Sequence, residues 1–195
     1  MTTATEQHPW PPYIPQGARV WILGTFPPKS SRWSMNFYYP NRINDFWRIM
    51  GLIFTGDKDT LYNPETKSFR LDDIKALLDK HGIALGDTAR AVNRLRDNAS
   101  DKYLEIVTPV PLYDVLDEMP LCHDIATTGE KAAAVIAQLS GTQIPKMGEY
   151  VESTRRDGSP LKIWRMPSTS RAYPLPLPQK AAFYETLFRS VSVIK

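Results

Sequence analysis

Two hydroxyl-rich segments hold the residues of this sequence that are best suited to bind a phosphate or a sugar. The first contains Lys29, Ser30 and Ser31, whose ammonium and hydroxyl groups can hold a phosphate. It opens with Gly24, which lets a backbone approach a ligand closely. The second segment consists of Pro167, Ser168, Thr169, Ser170 and Arg171. Its hydroxyls and arginine suit a nucleic-acid backbone, although tight turns have similar compositions and a purely structural interpretation stays open.

Four short segments predict the strands that position these loops. They cover residues 19–24, 83–86, 124–127 and 161–166. The first is a short apolar run ended by glycine, which is typical of a strand buried on both faces. Between these strands, apolar residues recur at the spacing of a helix. Strands that alternate with helices predict an α/β fold: a three-layer α/β/α sandwich with a central four-stranded, mainly parallel sheet. Ligands bind beyond the carboxyl ends of the strands in such folds, and both hydroxyl-rich segments lie there.

The helices are predicted from apolar spacing and from their ends. The clearest begins at Ile43 and places Phe46, Trp47 and Met50 on one face, with Asn44 in its first turn. A second helix stops at Gly82. A short helix is expected around residues 112–116. A capping box formed by Thr127 and Glu130 would open the next helix, and a closing helix would begin near residue 178, a proline.

Composition sets broad limits on the class of protein. The 195 residues are 42% apolar and 23% charged, which predicts a single globular domain, residues 1–195, with a proline-rich lead-in at residues 1–17. The net charge of +3 permits nucleic acid as a partner without requiring it. One cysteine, Cys122, excludes an internal disulfide and a cysteine-rich metal site. The sequence shows neither a signal peptide nor an apolar run of membrane-spanning length, so we expect a cytoplasmic protein with no membrane partner.

Six short motifs, in their order along the chain, resemble the uracil-DNA glycosylase superfamily. The resemblance is closest to the branch that includes hypoxanthine-DNA glycosylases, and it spans roughly residues 9–190. The motifs are Leu23-Gly-Thr-Phe-Pro27, Tyr38-Tyr39, Asn44-Asp-Phe-Trp47, Gly82-Ile-Ala-Leu-Gly-Asp87, Thr128-Gly-Glu-Lys-Ala132 and Met166-Pro-Ser-Thr-Ser170.

The resemblance implies an enzyme that acts on DNA. It implies a monofunctional glycosylase that flips a deaminated base, of the uracil or hypoxanthine class, out of the stack and hydrolyses its N-glycosidic bond. Asn44 matches the catalytic position of the hypoxanthine branch and would position the attacking water. No metal or organic cofactor is implied. We expect a monomer that works at the nucleoid on DNA containing a damaged base.

Two positions depart from the pattern of other branches. Many place an acid or an asparagine where this chain has Phe26, and several begin the late loop with a histidine where this chain has Met166. Phe26 cannot activate water, but its ring could stack on an extruded base. Arg171 stands where the family places a side chain that wedges into the duplex, and arginine could fill that gap or bind phosphate.

The remaining candidates would bind the base. Asp87 could hydrogen-bond a base edge or supply negative charge to the reaction, or it could simply cap a turn. Tyr38 and Tyr39 could stack on the base or wall off the pocket, although crowded aromatics often belong to a core. Gly24, Thr25, Phe26 and Pro27 would form the rest of the base-binding wall.

Two other functions stay open. Phe26 and Met166 are compatible with a non-catalytic nucleic-acid-binding protein that keeps the fold but has lost the chemistry. A nucleotide or small-molecule hydrolase with Asp87 as its base is the second alternative. DNA binding would separate the glycosylase and the non-catalytic binding protein from the hydrolase.

Overall fold

The computed structural model describes residues 4–95 and 101–195. Its strands are β1 (Thr5–Gln7), β2 (Val20–Gly24), β3 (Tyr62–Asn63), β4 (Ser68–Phe69), β5 (Ile83–Asp87), β6 (Ala89–Arg94), β7 (Leu104–Pro109), β8 (Asp124–Thr128), β9 (Tyr150–Thr154) and β10 (Pro160–Met166). Its helices are α1 (Phe46–Thr55), α2 (Leu71–His81), α3 (Leu112–Asp117), α4 (Glu130–Ser140) and α5 (Leu177–Ser190). None of the helices in these two ranges is long and apolar enough to cross a membrane.

The central sheet has the order β5-β2-β8-β10-β9. The four predicted strands are its parallel members β5, β2, β8 and β10, so this part of the prediction is confirmed. The sheet also has a fifth strand, β9, which pairs antiparallel with β10 at the edge. Its residues alternate between partly buried and exposed. The apolar-run criterion therefore missed β9, because it detects only strands that are buried on both faces.

The helices cover the sheet on both faces and give the predicted three layers. Alternate residues of β2 point to opposite faces, as the two-residue repeat of a strand requires. Val20 and Ile22 pack in a cluster with α1, α2 and α5. Trp21 and Leu23 pack in a second cluster with α3 and α4. The carboxyl ends of the parallel strands are therefore held rigidly between two apolar cores.

The lead-in is part of the folded domain. Its strand β1 pairs antiparallel with β6, and β6 pairs with β7, which makes a separate three-stranded sheet. Glu6 accepts two hydrogen bonds from the buried guanidinium of Arg94. Further along, Tyr13 and Leu85 exchange backbone hydrogen bonds on the outer edge of β5. The proline-rich segment is thus extended, as predicted, but it pairs with the three-stranded sheet before residue 8 and with the edge of the central sheet after it.

Two predicted helix starts are wrong. Helix α1 begins at Phe46 rather than Ile43, because residues 44 and 45 bond to the late loop: Asn44 forms an isolated bridge with Ser170. Helix α4 has no side-chain cap, and the hydroxyl of Thr127 instead donates to the carbonyl of Trp164 inside the sheet. In both places a contact between distant segments replaces the local bond that the sequence pattern predicted.

Candidate active site

A cavity of about 600 Å³ opens beyond the carboxyl ends of the parallel strands. Its volume lies in the range that protein pockets for small ligands occupy. The loop after β2 and the loop after β10 form opposite parts of its wall, as the sequence predicted for an α/β sheet. Eleven predicted site residues line it: Gly24, Thr25, Phe26, Pro27, Tyr39, Asn44, Asp87, Ser168, Thr169, Ser170 and Arg171.

Gly24 and Asp87 stand opposite each other at the ends of β2 and β5. Backbone bonds from Thr88 to Gly24 and from Ala89 to Thr25 continue the pairing beyond the strands. A Cβ atom on Gly24 would lie 2.4 Å from Oδ1 of Asp87, so only glycine allows this carboxyl group to sit here. The glycine therefore creates the space in which Asp87 reaches the cavity wall.

Asp87 is bound on its far side by His8. Nε2 of His8 lies 2.8 Å from Oδ2 of Asp87, and the histidine ring is fully buried. The other ring nitrogen, Nδ1, lies 2.7 Å from the carbonyl oxygen of Trp10. Burial raises the pKa of Asp87, whereas the hydrogen bond from His8 and the charge of Arg90 oppose that rise. Asp87 is thus a buried carboxyl group whose proton affinity depends on its histidine partner.

Two aromatic side chains form part of the cavity wall. Tyr39 stacks on Phe46 with ring centroids 3.9 Å apart, and its hydroxyl lies 3.1 Å from that of Thr128. Its φ of 51° is unusual for a non-glycine residue, and such backbone conformations concentrate at functional sites. Phe26 is partly buried and packs edge-on against His8 at 5.3 Å. Both aromatics leave surface in the cavity against which a planar ring could lie.

Asn44 lies on the wall two residues before α1. Its Oδ1 accepts a 2.9 Å hydrogen bond from the backbone N–H of Phe46, which is the Asx-turn bond that an asparagine commonly makes to the residue two positions later. Its backbone is bridged to Ser170 across the cavity rim. The amide group is therefore held in a fixed plane, and an amide has further donor and acceptor capacity with which it could bind a water.

Asp45 anchors this segment from behind. Its two carboxylate oxygens accept hydrogen bonds from Lys180 at 3.0 Å and from Arg171 at 3.2 Å. Lys180 is fully buried on α5 and also donates to the carbonyl of Ser170 at 2.8 Å. The backbone N–H of Asp45 bonds to the carbonyl of Thr169. These bonds fix the late loop, the segment before α1 and the closing helix relative to one another.

Five predicted site residues lie off the cavity wall. Tyr38 is buried in the core with its hydroxyl on the Pro11 carbonyl, so its ring cannot stack on a base in the cavity. Pro167 is also buried, and its carbonyl accepts a hydrogen bond from Tyr184. The other three, Lys29, Ser30 and Ser31, are exposed residues next to the cavity. They remain candidates for contact with a DNA backbone outside the cavity.

Met166, which stands where several branches have a histidine, is buried in the core.

Sequence reasoning missed His8 and the rim residues Arg32 and Ile43. His8 stands 79 residues before its partner Asp87, in a segment that reads as an extended lead-in. A lone histidine among prolines gave no signal of this contact. Arg32 extends the positive charge of the rim beyond Arg171, and Ile43 is an exposed apolar side chain beside Asn44. Within residues 4–95 and 101–195, no three His, Cys, Asp or Glu side chains are grouped to hold a metal ion.

The fold of the chain is similar to that of a solved structure, although its sequence matches no family model. No protein-family model matches the chain, and no curated relative matches it in sequence. Among solved structures, the chain is similar to the solution NMR structure of a proposed uracil DNA glycosylase from Methanosarcina acetivorans. The TM-score is 0.63 at 20% sequence identity, and the match covers 97% of this chain and 99% of the other. The chain therefore has an α/β fold of the uracil-DNA-glycosylase type over nearly its whole length.

Proposed function

We propose that this protein is a monofunctional DNA glycosylase that removes a deaminated base of the uracil or hypoxanthine class. The observation that carries the proposal is the cavity itself, at the carboxyl ends of the strands in a fold of this type. Asn44 and Asp87 lie on its wall, and an arginine from each loop, Arg32 and Arg171, lies at its rim. The cavity would take the extruded base, and the rim would bind the DNA backbone.

Asn44 would hold the attacking water. In the reaction, the water oxygen bonds to C1′ of the sugar while the N-glycosidic bond breaks and its electron pair leaves with the base. An amide is a poor base, so Asn44 acts by orientation, and the water's proton passes to the departing base or to solvent. The transition state resembles an oxocarbenium ion, and a nearby carboxylate such as Asp87 would stabilise its positive charge.

The aromatic wall fits the same proposal. Phe26 offers an apolar face, and Tyr39 is braced from behind by Phe46. An extruded base loses its stacking partners in the duplex, and aromatic side chains replace part of that interaction. The hydroxyls of Tyr39 and Thr128, near Gly24 and Asp87, offer polar contacts for a base edge.

A single-turnover assay tests the proposal. Labelled single- and double-stranded oligonucleotides that carry uracil or hypoxanthine are incubated with excess protein, and abasic sites are cleaved and counted. We expect product, and we expect Asn44→Ala to reduce the rate at least a hundredfold, which is about 2.7 kcal/mol of transition-state stabilisation. Asn63→Ala is the matched control, because Asn63 makes a similar side-chain bond to backbone N–H groups in a turn outside the cavity.

The other outcomes separate the alternatives. Salt-sensitive DNA binding without product on any lesion would favour a binding protein that has lost the chemistry. Activity that survives Asn44→Ala would move the catalytic role to Asp87. An absence of both product and DNA binding would contradict the DNA proposal and leave a nucleotide or small-molecule hydrolase as the candidate.

A further inference from the structure

His8 belongs to the lead-in and yet completes the cavity wall from behind. Its Nε2 lies 2.8 Å from Oδ2 of Asp87, and its ring is fully buried between Phe26, Trp10 and Tyr38, whose ring centroids lie 5.3, 5.8 and 5.6 Å away. The backbone N–H of His8 bonds to the carbonyl of Arg90 on β6. The imidazole is therefore held in one orientation, with its Nε2 edge against the carboxyl group.

The contacts of the ring place a proton between the histidine and Asp87. Nδ1 lies 2.7 Å from the carbonyl oxygen of Trp10 and 3.1 Å from its backbone nitrogen, so it either donates to the carbonyl or accepts from the N–H. In either case, two bare acceptors could not approach to the 2.8 Å that separates Nε2 from Oδ2, so a proton must lie between them. That proton is either on the histidine or on Asp87.

In both of these states, Oδ1 of Asp87 has no proton. Oδ1 is the oxygen beside Gly24, whereas Oδ2 faces the histidine. If the shared proton is on Nε2, Asp87 is a carboxylate. If it is on Asp87, the proton stays on Oδ2, where it bonds to Nε2. The charged and titratable groups around the pair are Arg90, Tyr38 and Tyr39.

We infer that His8 is a positioning residue that keeps Oδ1 of Asp87 a hydrogen-bond acceptor at all times. The cavity therefore selects bases that carry a ring N–H beside a carbonyl group. This inference rests on the proposed function, and it names the feature of the base that is read. Uracil and hypoxanthine carry such a ring N–H, which deamination creates. Cytosine and adenine carry a bare ring nitrogen at the same place, and its lone pair would face Oδ1 without a proton between them.

Removal of His8 would abolish this selection. Burial favours the protonated form of Asp87, and without the imidazole the carboxyl proton can occupy Oδ1. A protonated Oδ1 would place its O–H donor against the ring N–H donor of uracil, and no hydrogen bond could form between them. In His8→Leu, we expect the single-turnover rate on uracil to fall at least tenfold near neutral pH and to recover as rising pH ionises Asp87. A merely structural role for His8 would lower the rate equally at every pH.

Two further variants sharpen the test. His8→Gln keeps a group that can bond to Oδ2, so it should restore part of the rate that His8→Leu loses. His123→Leu is the matched control, since His123 bonds to the Pro160 carbonyl at the opposite end of the sheet and should leave the pH profile unchanged. A pH profile in His8→Leu that has the wild-type shape would overturn the inference while the proposed function stands.

Measurements without substrate keep the inference testable if the chain shows no glycosylase activity or if the variant fails to fold. In the unmodified chain, long-range ¹H–¹⁵N NMR reports which ring nitrogens of His8 carry protons at pH 7. We expect Nε2 either to carry a proton or to accept one from Asp87, and an Nε2 that does neither would overturn the inference. Carboxyl ¹³C NMR of Asp87 should titrate at least one pH unit higher in His8→Leu than in the wild type. An unchanged midpoint would also overturn it.

Discussion

The ammonium group of Lys180 lies 3.0 Å from the carboxylate of Asp45, and both side chains are buried although 135 residues separate them in sequence. A buried ion pair that loses one partner leaves the other charge without compensation. We expect Lys180→Met to lower the free energy of unfolding by about 3 kcal/mol or more in urea denaturation. Lys58→Met removes a solvent-exposed pair with Asp59 and should cost less than about 1 kcal/mol. Equal losses in the two variants would contradict this prediction.

Gly24→Ala should impair the site more than the fold. The new Cβ would lie 2.4 Å from Oδ1 of Asp87, so the carboxyl group must move away from its position on the wall. We expect the single-turnover rate to fall at least tenfold, with a loss of about 1–3 kcal/mol in stability from overpacking. Gly158→Ala is the control, because its φ of 82° makes alanine strained in an open turn far from the cavity. That variant should lose stability and keep its rate.

Arg171 should contribute to DNA affinity through charge. Its guanidinium is about half exposed at the cavity rim, while Nε bonds to Asp45. We expect Arg171→Ala to weaken binding to DNA of any sequence and to reduce the slope of log affinity against log salt by about 1. Arg156 is similarly exposed but pairs with Asp114 and Asp117 away from the cavity, so Arg156→Ala should leave the slope unchanged. Fluorescence anisotropy at several salt concentrations measures both variants.

The raised pKa of Asp87 predicts how stability depends on pH. A carboxyl group whose pKa is higher in the folded protein stabilises the fold below its ordinary pKa, and this contribution is lost as the pH rises through the folded value. Asp87→Asn does not titrate. The stability of Asp87→Asn relative to the wild type should therefore increase between pH 4 and pH 8. Urea denaturation at both pH values measures this difference.

Asp157 provides the control for this pH comparison. It is fully exposed, and hydrogen bonds from Ser159 lower its pKa. Asp157→Asn should not gain stability relative to the wild type between pH 4 and pH 8. If the difference between Asp87→Asn and the wild type is constant over this range, the Asp87 carboxyl group does not titrate as its burial requires.

The sheet could be predicted because its parallel strands have strong local signals. β2 and β5 are mainly apolar runs in which every residue is buried, and β8 and β10 have an apolar, buried centre. The strands of the second sheet lack this signal: β6 contains two arginines and an asparagine among its six residues, and β1 lies in the lead-in. Their pairing depends on contacts such as that between Glu6 and Arg94. No local pattern encodes such contacts.

The two loops of the site were predictable for the same reason, because they follow predicted strands. The position of Asn44 was predictable only in part. Helical spacing extended the helix back to Ile43, but bonds from Thr169 and Lys180 hold residues 44 and 45 outside it. His8 was not predictable at all, since its role depends on a partner 79 residues away. Interactions over such distances become visible only in three dimensions.

The bonds that hold the segment before α1 have a consequence for protein synthesis. The groups that fix Asn44 and Asp45 come from Ser170, Thr169 and Lys180, which the ribosome adds long after residue 45. A nascent chain can form β2, β5 and β8 long before it contains these groups. The backbone of residues 44 and 45 is therefore anchored only after residues 169–180 have been synthesised, and a product that stops before them would lack an ordered site.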